Sequence, residues 1–233
     1  MKICVISDTH EKHQDLTEQI LSGKPDVIIH CGDAANHKSP AFNQHPMMEF
    51  LRWYEGLDID HKIFVPGNHD TSIQHGFIHP TQFKTIDFLI NETIEISRPN
   101  NGQPDVRIFG SPYTPTFGTG WAYNKARNKL DRIWKQIIPD NIDIVVTHGP
   151  PKGILDLTES IEMRRYEQVG CKSLLNRIRD VNPEYSLFGH IHDESNVFNY
   201  GLKMIDGVRT KFINASNCNL QYKCVNPPIF IEI

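Results

Sequence analysis

Short runs of β-branched and aliphatic residues recur along this sequence, and each run ends in a polar motif built from Asp, His, Asn or Gly. The runs and motifs are KICVIS before DTH, DVIIHC before GD, KIFVP before GNHD, IDIVV before THGPP, and EYSLF before GHIH. The runs have the length and composition of strands, and they lack the alternation typical of a strand with one exposed face. The pattern therefore predicts strands buried on both faces, with polar side chains at their carboxyl ends.

The residues between these runs show helical periodicity. Apolar side chains recur on one side of residues 14–22, 124–138 and 171–181. In the first of these segments Leu16, Ile20 and Leu21 form the predicted apolar side. A further helix is predicted to begin at about Pro46, because proline suits a first helical turn. Strands that alternate with helices favour an α/β architecture with a parallel or mixed sheet covered by helices.

Two further regions are predicted to contain β-structure. Residues 91–120 are rich in Gly, Pro, Asn and Thr and are interpreted as a strand pair followed by a long loop. From Val197 onward the chain combines β-branched runs with the turn dipeptide Asp206-Gly207. This combination favours an antiparallel β-region at the end of the chain.

Length and composition restrict the class of protein and its partners. A chain of 233 residues that is 39% hydrophobic and 22% charged is expected to form one domain over residues 1–233. A net charge of −4 disfavours long nucleic acids and acidic membrane surfaces as partners. Since no apolar run approaches the ~18 residues of a membrane span and MKICVISDTH lacks a leader pattern, a soluble cytoplasmic protein is expected. The five cysteines include no CxxC motif, which favours reduced thiols over disulfides.

The polar motifs at the strand ends contain the side chains that bind metal ions. Asp8 and His10 are two residues apart, as are His190 and His192, so extended backbone would project each pair to one side. The remaining candidates lie beside glycines at other strand ends, and they are Asp33, Asn68 and His148. Because ligands of open α/β sheets bind outside the carboxyl ends of the strands, we expect all of these groups to meet in one crevice.

This donor set exceeds what a single tetrahedral zinc ion requires. It offers two carboxylates, four imidazoles and one amide oxygen, which suits two ions with a shared ligand. Mixed nitrogen and oxygen donors without thiolate suit Mn²⁺, Fe or Zn²⁺ better than Ca²⁺ or Mg²⁺. Two divalent ions are therefore predicted, with Mn²⁺ favoured. The alternative for any one of these residues taken alone is a buried core histidine or a turn-forming aspartate.

The ordered series of motifs resembles the calcineurin-like metallophosphoesterases. It comprises DxH at 8–10, GD at 32–33, GNHD at 67–70, HG at 148–149 and GHxH at 189–192. Further similarity to the branch of metallophosphoesterase-domain-containing (239FB-like) proteins lies in GSPYTP, GTGWAY, THGPP, VGC, FGHIH and INAS. The resemblance covers nearly the whole chain. It implies a four-layer α/β/β/α sandwich with two mixed β-sheets.

The resemblance also implies a role for each site residue. Asp8, His10 and His192 would hold the first ion, Asn68, His148 and His190 would hold the second, and Asp33 would bridge the two. His69 would act catalytically at the leaving oxygen, and Asp70 would be the catalytic partner that orients its ring. Some animal members carry glycine at the first histidine of GHxH, whereas this sequence retains His190.

The expected activity is hydrolysis of phosphodiester bonds in small substrates such as cyclic nucleotides. The resemblance points to diesters, and a hydroxide bridging the two ions would be the nucleophile, because bound metal ions screen phosphate charge and lower the pKa of water. A small phosphate ester is thus the predicted partner, and the sequence makes no prediction of oligomeric state. A broad phosphomonoesterase and a metal-stabilised binding or scaffold protein remain alternatives.

Five residues are candidates for substrate binding outside the metal ligands. Tyr113 and Trp121 lie in the Gly/Pro-rich loop, where aromatic rings could stack on a nucleobase, although loop anchoring is an equal alternative. Asn124 and Arg127 are placed at a predicted helix start, where a phosphate could bind. His37 follows Asp33 by four residues and is the fifth candidate.

Overall fold

A computed structural model describes residues 1–98, 102–160, 165–194 and 196–233, and most of its strands belong to two mixed β-sheets. In chain order the strands are β1 (Lys2–Ile6), β2 (Val27–His30), β3 (His61–Phe64), β4 (Ile86–Phe88), β5 (Glu92–Ile96), β6 (Val106–Ser111), β7 (Thr114–Pro115), β8 (Asn124–Lys125), β9 (Ile144–Thr147), β10 (Leu157–Ser160), β11 (Arg165–Gln168), β12 (Tyr185–Phe188), β13 (Gly201–Ile205), β14 (Val208–Asn214) and β15 (Ile229–Glu232). The first sheet has the order β15-β1-β2-β3-β4, and the second has the order β13-β14-β12-β9-β6-β5.

The strands that precede the polar motifs are parallel neighbours, as predicted. In the first sheet β1, β2, β3 and β4 run parallel, and β15 is antiparallel to β1. In the second sheet β6, β9, β12 and β14 run parallel, while β5 and β13 pair antiparallel at the two edges. The predicted strand pair of residues 91–120 is thus the β5–β6 pair. The predicted C-terminal β-region holds the antiparallel β13–β14 pair, but β14 also joins the parallel part of the sheet.

Three hydrophobic clusters separate four layers of structure. Alternate residues of β1, such as Ile3 and Val5, face a cluster shared with the second sheet, while Cys4 and Ile6 face helices on the other side. The second sheet likewise packs Val145 and further residues against a separate pair of helices. Both faces of each sheet are therefore buried, which explains the near-continuous apolar runs. The observed architecture is the predicted α/β/β/α sandwich.

The helices are α1 (Thr17–Ser22), α2 (Pro40–Glu55), α3 (Thr71–Gln74), α4 (Arg127–Ile137) and α5 (Lys172–Val181), with 3₁₀ turns at His13–Leu16 and Pro80–Gln82. The predicted start of α2 near Pro46 is wrong, because Pro40 occupies the first turn and Asn43 N–H already bonds to Ser39 O. The predicted apolar side of 14–22 is wrong at Leu21, which is 40% exposed. The 3₁₀ turn before α1 changes the angular spacing that a continuous α-helix would give.

Further features concern the smaller elements and the thiols. Two short pairs, parallel β7–β8 and antiparallel β10–β11, lie outside the main sheets. Asn124 belongs to β8 rather than to the start of a helix, so the predicted helix over 124–138 begins later, at Arg127.

All five cysteines are free, in agreement with the expectation. Among the described residues no helix is long and apolar enough to cross a membrane.

Candidate dinuclear metal centre

The motif after β1 turns sharply instead of continuing as a strand. Asp8 and His10 have φ values of 51° and 40°, in the left-handed region that Asp and His tolerate better than most residues. The turn is held by Asp8 N–H donating to Gly32 O at 2.8 Å and by His10 N–H donating to Asp33 O at 3.2 Å. The expectation of an extended Asp8–His10 pair is therefore wrong. A left-handed turn anchored to the neighbouring motif brings their side chains together.

One group of three donors forms around Asp8. His192 Nε2 lies 3.1 Å from Asp8 Oδ1 and 3.3 Å from His10 Nε2. All three side chains are buried, and a set of their donor atoms lies within 4.8 Å of one another. The other carboxylate oxygen of Asp8 accepts hydrogen bonds from Ser216 Oγ and His190 N–H. Oδ1 is thus the oxygen directed at the two imidazoles.

The second group forms around Asp33. His148 Nε2 lies 3.3 Å from Asp33 Oδ2 and 2.9 Å from Asn68 Oδ1. Donor atoms of Asp33, His148 and His190 lie within 4.8 Å of one another. The structure therefore brings Asp8, His10 and His192 together in one group and Asp33, His148, His190 and Asn68 together in a second. His190 also has a positive φ, of 72°, so it too leaves the extended conformation that its spacing had suggested.

Backbone carbonyls fix the tautomers of two of these imidazoles. His148 Nδ1 lies 2.8 Å from Cys31 O, and His192 Nδ1 lies 3.2 Å from Asn219 O. Because a carbonyl oxygen only accepts, each Nδ1 carries a hydrogen, and each Nε2 is the ring nitrogen that faces the carboxylate beside it. Such a carbonyl partner is the usual outer contact of a metal-binding histidine. The orientation suits Nε2 ligation.

The electrostatics of the two groups favour a bound positive charge. Burial alone would raise the pKa of Asp33, but the neighbouring His148 imidazole lowers it well below its ordinary value. The same pair, with burial again opposing, raises the pKa of His148 to about 9. Burial lowers the pKa of His10 and of His190 to about 3, so both imidazoles are neutral and available as ligands. A proton on His148 thus compensates a carboxylate that a metal cation would otherwise neutralise.

The chemistry of the donor set fits two divalent ions. In each group a carboxylate oxygen lies at about hydrogen-bond distance from an imidazole nitrogen, and further nitrogen or oxygen donors converge on the same point. Buried carboxylates are costly unless paired or metal-bound, and no thiolate takes part. Nitrogen and oxygen donors of this kind suit Mn²⁺, Fe and Zn²⁺.

His69 lies beside both groups, but its ring is not oriented by Asp70. Its Nδ1 donates to Asn36 O at 2.9 Å, and its Nε2 lies 4.0 Å from Asp33 Oδ2. The predicted pairing of Asp70 with this ring is therefore wrong. The carboxylate of Asp70 instead accepts N–H groups from the two strand-end loops, namely those of Gly67, Asp33, Ala34 and Ala35. Asp70 holds the loops that carry Asp33 and Asn68, because fixed turns need partners for their inward N–H groups.

Two glycines allow the loops to approach this closely. A Cβ atom on Gly67 would lie 2.2 Å from Asp33 Oδ1, and one on Gly189 would lie 2.0 Å from Asp8 Oδ2. Neither distance is compatible with a side chain, so each glycine is required by the carboxylate packed against it. The glycines of the GNHD and GHxH motifs are explained by these contacts.

Aromatic rings surround the histidines. Trp121 lies 4.4 Å from the His69 ring, Tyr222 lies 4.6 Å from the His10 ring, and Phe117 lies 5.0 Å from the His190 ring, all measured between centroids. Trp121 is among the residues predicted from the sequence, whereas Phe117 and Tyr222 are not. Their position depends on loops far apart in the chain, and no local pattern marks them. Lys38 Nζ lies 4.8 Å from the Trp121 ring centroid as a cation–π partner.

The other four substrate candidates are engaged elsewhere or are solvent-exposed. Asn124 bonds within its own loop, to Thr114 Oγ1, Ala122 O and Phe117 N–H. Tyr113 packs near Trp134, and Lys125 Nζ lies over its ring. Arg127 donates to Val169 O and Gly170 O. The His37 side chain is exposed, and the His37 carbonyl accepts a hydrogen bond from Asn43 Nδ2. These contacts favour structural roles over phosphate binding for Asn124 and Arg127.

The two sheets and the donor groups at their carboxyl ends define a metallophosphoesterase. Residues 1–194 match the family described as calcineurin-like phosphoesterase, and the chain belongs to that family. Human metallophosphoesterase domain-containing protein 1 is 33% identical, over 99% of this chain and 70% of the human protein. A UPF0046 protein of Caenorhabditis elegans is 30% identical, over 100% of this chain and 81% of its own length.

Solved structures agree on the fold at lower identity. TT1561 of Thermus thermophilus superposes with a TM-score of 0.58 at 11% identity, over 92% of this chain and 88% of that chain. At this identity the likeness concerns the fold alone. Family membership identifies the activity as metal-dependent phosphoester hydrolysis, for which the two donor groups are the candidate centre.

Proposed function

We propose that this protein hydrolyses phosphodiester bonds of small substrates such as cyclic nucleotides, using two divalent ions of which Mn²⁺ is favoured. The observation that carries the proposal is the convergence of two donor groups, one of Asp8, His10 and His192 and one of Asp33, His148 and His190. Asn68 would complete the second group through Oδ1, which lies 2.9 Å from His148 Nε2. In this proposal Asp33 is shared by both ions.

The protein side chains would fix the ions and position the ester. When bound, divalent ions screen the phosphate charge and lower the pKa of water from about 15.7 toward 7. The carbonyls of Cys31 and Asn219 hold the imidazoles of His148 and His192 in the ligating tautomer. Because these partners are backbone atoms of ordered loops, the ligands are preorganised.

His69 is the proposed proton donor to the leaving oxygen. Its Nδ1 hydrogen is committed to Asn36 O, which leaves Nε2 as the atom that gains and loses a proton. Nε2 lies on the Asp33 side of the ring, 4.0 Å from Asp33 Oδ2. Trp121 packs against this ring and limits its movement. His69 would then donate to the alkoxide as the P–O bond breaks.

The surroundings of the centre support a diester over a monoester. A diester carries one negative charge, whereas a monoester carries up to two near neutral pH. The rings of Phe117, Trp121 and Tyr222 flank the histidines, and they favour contact with an organic substituent over contact with a second charge. The net charge of −4 likewise favours small substrates over polyanions.

A substrate panel tests the proposal. Turnover of bis-p-nitrophenyl phosphate, p-nitrophenyl phosphate and 2′,3′- and 3′,5′-cyclic AMP would be measured with Mn²⁺, for the wild type and Asp33→Asn. We expect the wild type to hydrolyse the diesters, and we expect Asp33→Asn to reduce this turnover at least a hundredfold. Higher efficiency on the monoester would favour the phosphomonoesterase alternative. Metal binding without turnover of any ester would favour a binding or scaffold role.

A further inference from the structure

A pocket of about 400 Å³ adjoins the second donor group. His190 lines it, and the remaining walls come from several segments that are far apart in the chain. Those walls are mainly apolar, and the side chains used below are Pro115, Phe117, Pro150, Ile191 and Leu220. The volume lies within the range of small-molecule sites. Since His190 belongs to both the pocket and the donor group, an ester at the centre has a substituent within reach of the pocket.

Two walls of this pocket are formed by half-exposed apolar side chains. Phe117 is 48% exposed and Leu220 is 50% exposed. Phe117 also stacks near Trp121, with 6.3 Å between ring centroids and 27° between the ring planes, so the wall continues toward His69. Exposed apolar surface that rims a concave site beside a catalytic centre is typical of ligand binding.

The polar groups of the pocket favour an uncharged occupant. The Arg127 guanidinium donates to Gly170 O at 3.0 Å and to Val169 O at 2.6 Å, so the cation is held against the wall by carbonyls. The other polar side chain of the lining, besides His190, is Thr158. Its hydroxyl already donates to Glu194 at 2.6 Å. The guanidinium disfavours a cationic occupant, and the mainly apolar walls would remove the hydration of any ionised group.

We propose that this pocket binds an uncharged apolar or aromatic substituent of the phosphodiester, and that Phe117 and Leu220 set the preference for it. The inference rests on the proposed function and adds the class of alcohol that the ester carries. Burial of a phenyl group against these walls removes apolar surface from water, so diesters with such a group bind more tightly than those with a small alkyl group.

The test compares two diesters that share the p-nitrophenolate leaving group and have spectator alcohols of similar reactivity. These are ethyl p-nitrophenyl phosphate and 2-phenylethyl p-nitrophenyl phosphate, assayed with the wild type, Leu220→Asp and Phe117→Ala. Leu202→Asp is the matched control, because Leu202 is a 56% exposed leucine on the edge strand β13. Binding of ethylphosphonate and 2-phenylethylphosphonate is measured by calorimetry on the Mn²⁺-loaded proteins.

We expect the wild type to prefer the 2-phenylethyl ester by about tenfold in kcat/KM, with a similar ratio in phosphonate affinity. Leu220→Asp and Phe117→Ala should each reduce this preference at least threefold, and Leu202→Asp should leave the preference unchanged. Equal efficiency on the two esters, or a preference that both pocket variants retain, overturns the inference. Phosphonate discrimination without hydrolysis of either ester overturns the proposed function and supports the pocket.

Discussion

His192 Nε2 lies 3.1 Å from Asp8 Oδ1, although the two residues are 184 positions apart in the chain. Asp8 follows a strand of the first sheet and His192 follows a strand of the second, and the pair of Asp33 with His148 repeats this relationship at 3.3 Å. Each donor group therefore joins the two sheets at their carboxyl ends. A cation bound there links both sheets.

Metal binding should consequently stabilise the whole fold. A ligand that binds only the folded state at one hundred times its Kd contributes about 2.7 kcal/mol, and for a chain of this size each kcal/mol shifts Tm by about 2–4 °C. Saturating Mn²⁺ should raise the Tm by at least 5 °C relative to EDTA in scanning calorimetry. Identical melting curves with and without Mn²⁺ would contradict a centre that joins the sheets.

Removal of one ligand should remove one ion. His190→Ala should reduce bound Mn²⁺ from about two equivalents to about one, because the second group then keeps only Asp33, His148 and Asn68. His45→Ala is the matched control, since the His45 side chain is 83% exposed. The measurement is elemental analysis after dialysis, with calorimetric titration. Two retained equivalents in His190→Ala would exclude His190 as a ligand.

Loss of His69 should depend on the leaving group. Since Nε2 is the free nitrogen of this ring, His69→Ala should reduce hydrolysis of 3′,5′-cyclic AMP by about 10²–10⁴, the usual size of a general-acid contribution. Bis-p-nitrophenyl phosphate releases a stable phenolate and should lose less than tenfold. Mn²⁺ content should stay unchanged in this variant. Equal losses on both substrates would instead assign His69 to substrate positioning.

Asp70 should be essential for stability. Asp70→Asn replaces one acceptor oxygen by a donor facing backbone N–H groups, including that of Gly67 at 2.6 Å. We expect a loss of about 2–4 kcal/mol in urea unfolding, because buried N–H groups are left without an acceptor. Asp87→Asn, on the exposed side of β4, should change stability by less than about 0.5 kcal/mol. Unaltered stability together with lost turnover would restore a catalytic role for Asp70.

Acid sensitivity should come partly from His13. This residue is 4% exposed beside Phe50 and Trp53, and in the described part of the chain neither of its ring nitrogens has a hydrogen-bond partner. Burial lowers the pKa of His13 to about 4. The unfolded chain binds this proton near pH 6.5, so above that pH His13 leaves the free energy of unfolding independent of pH. As the pH falls from about 6.5 to 4, protonation of His13 in the unfolded chain lowers the free energy of unfolding by up to about 3 kcal/mol.

His13→Leu should remove this dependence. Between pH 7 and pH 5 the free energy of unfolding of this variant should fall less than that of the wild type. The difference between the two decreases should be about 1–2 kcal/mol. His45→Leu changes an exposed histidine and should leave the wild-type dependence intact. The comparison is made by urea unfolding at the two pH values. An identical pH dependence in wild type and His13→Leu would show that His13 titrates normally.

The sequence by itself determined the strands that precede the ligand motifs and the identity of the ligand-type residues, and the family resemblance implied the four layers. Apolar runs ending in Asp, His, Asn and Gly can form only where both faces of a strand are covered and the carboxyl end is open, and this is a local property of composition. Helix α5 was predicted to within one residue, whereas the start of α2 was not. Pro40 occupies the first turn of α2 after Ser39 at the N-cap, whereas Pro46 lies inside the helix.

Only the tertiary structure decided how the site residues meet. The left-handed turns at Asp8 and His190, the carbonyl of Asn36 on His69, and the placement of Asp70 beneath the loops depend on contacts between residues far apart in the chain. The same holds for Phe117 and Tyr222, which reach the histidines from distant loops. Residue type determines which donor and acceptor atoms a side chain carries. Which partner those atoms meet, and at what distance, is determined by the packing of the two sheets.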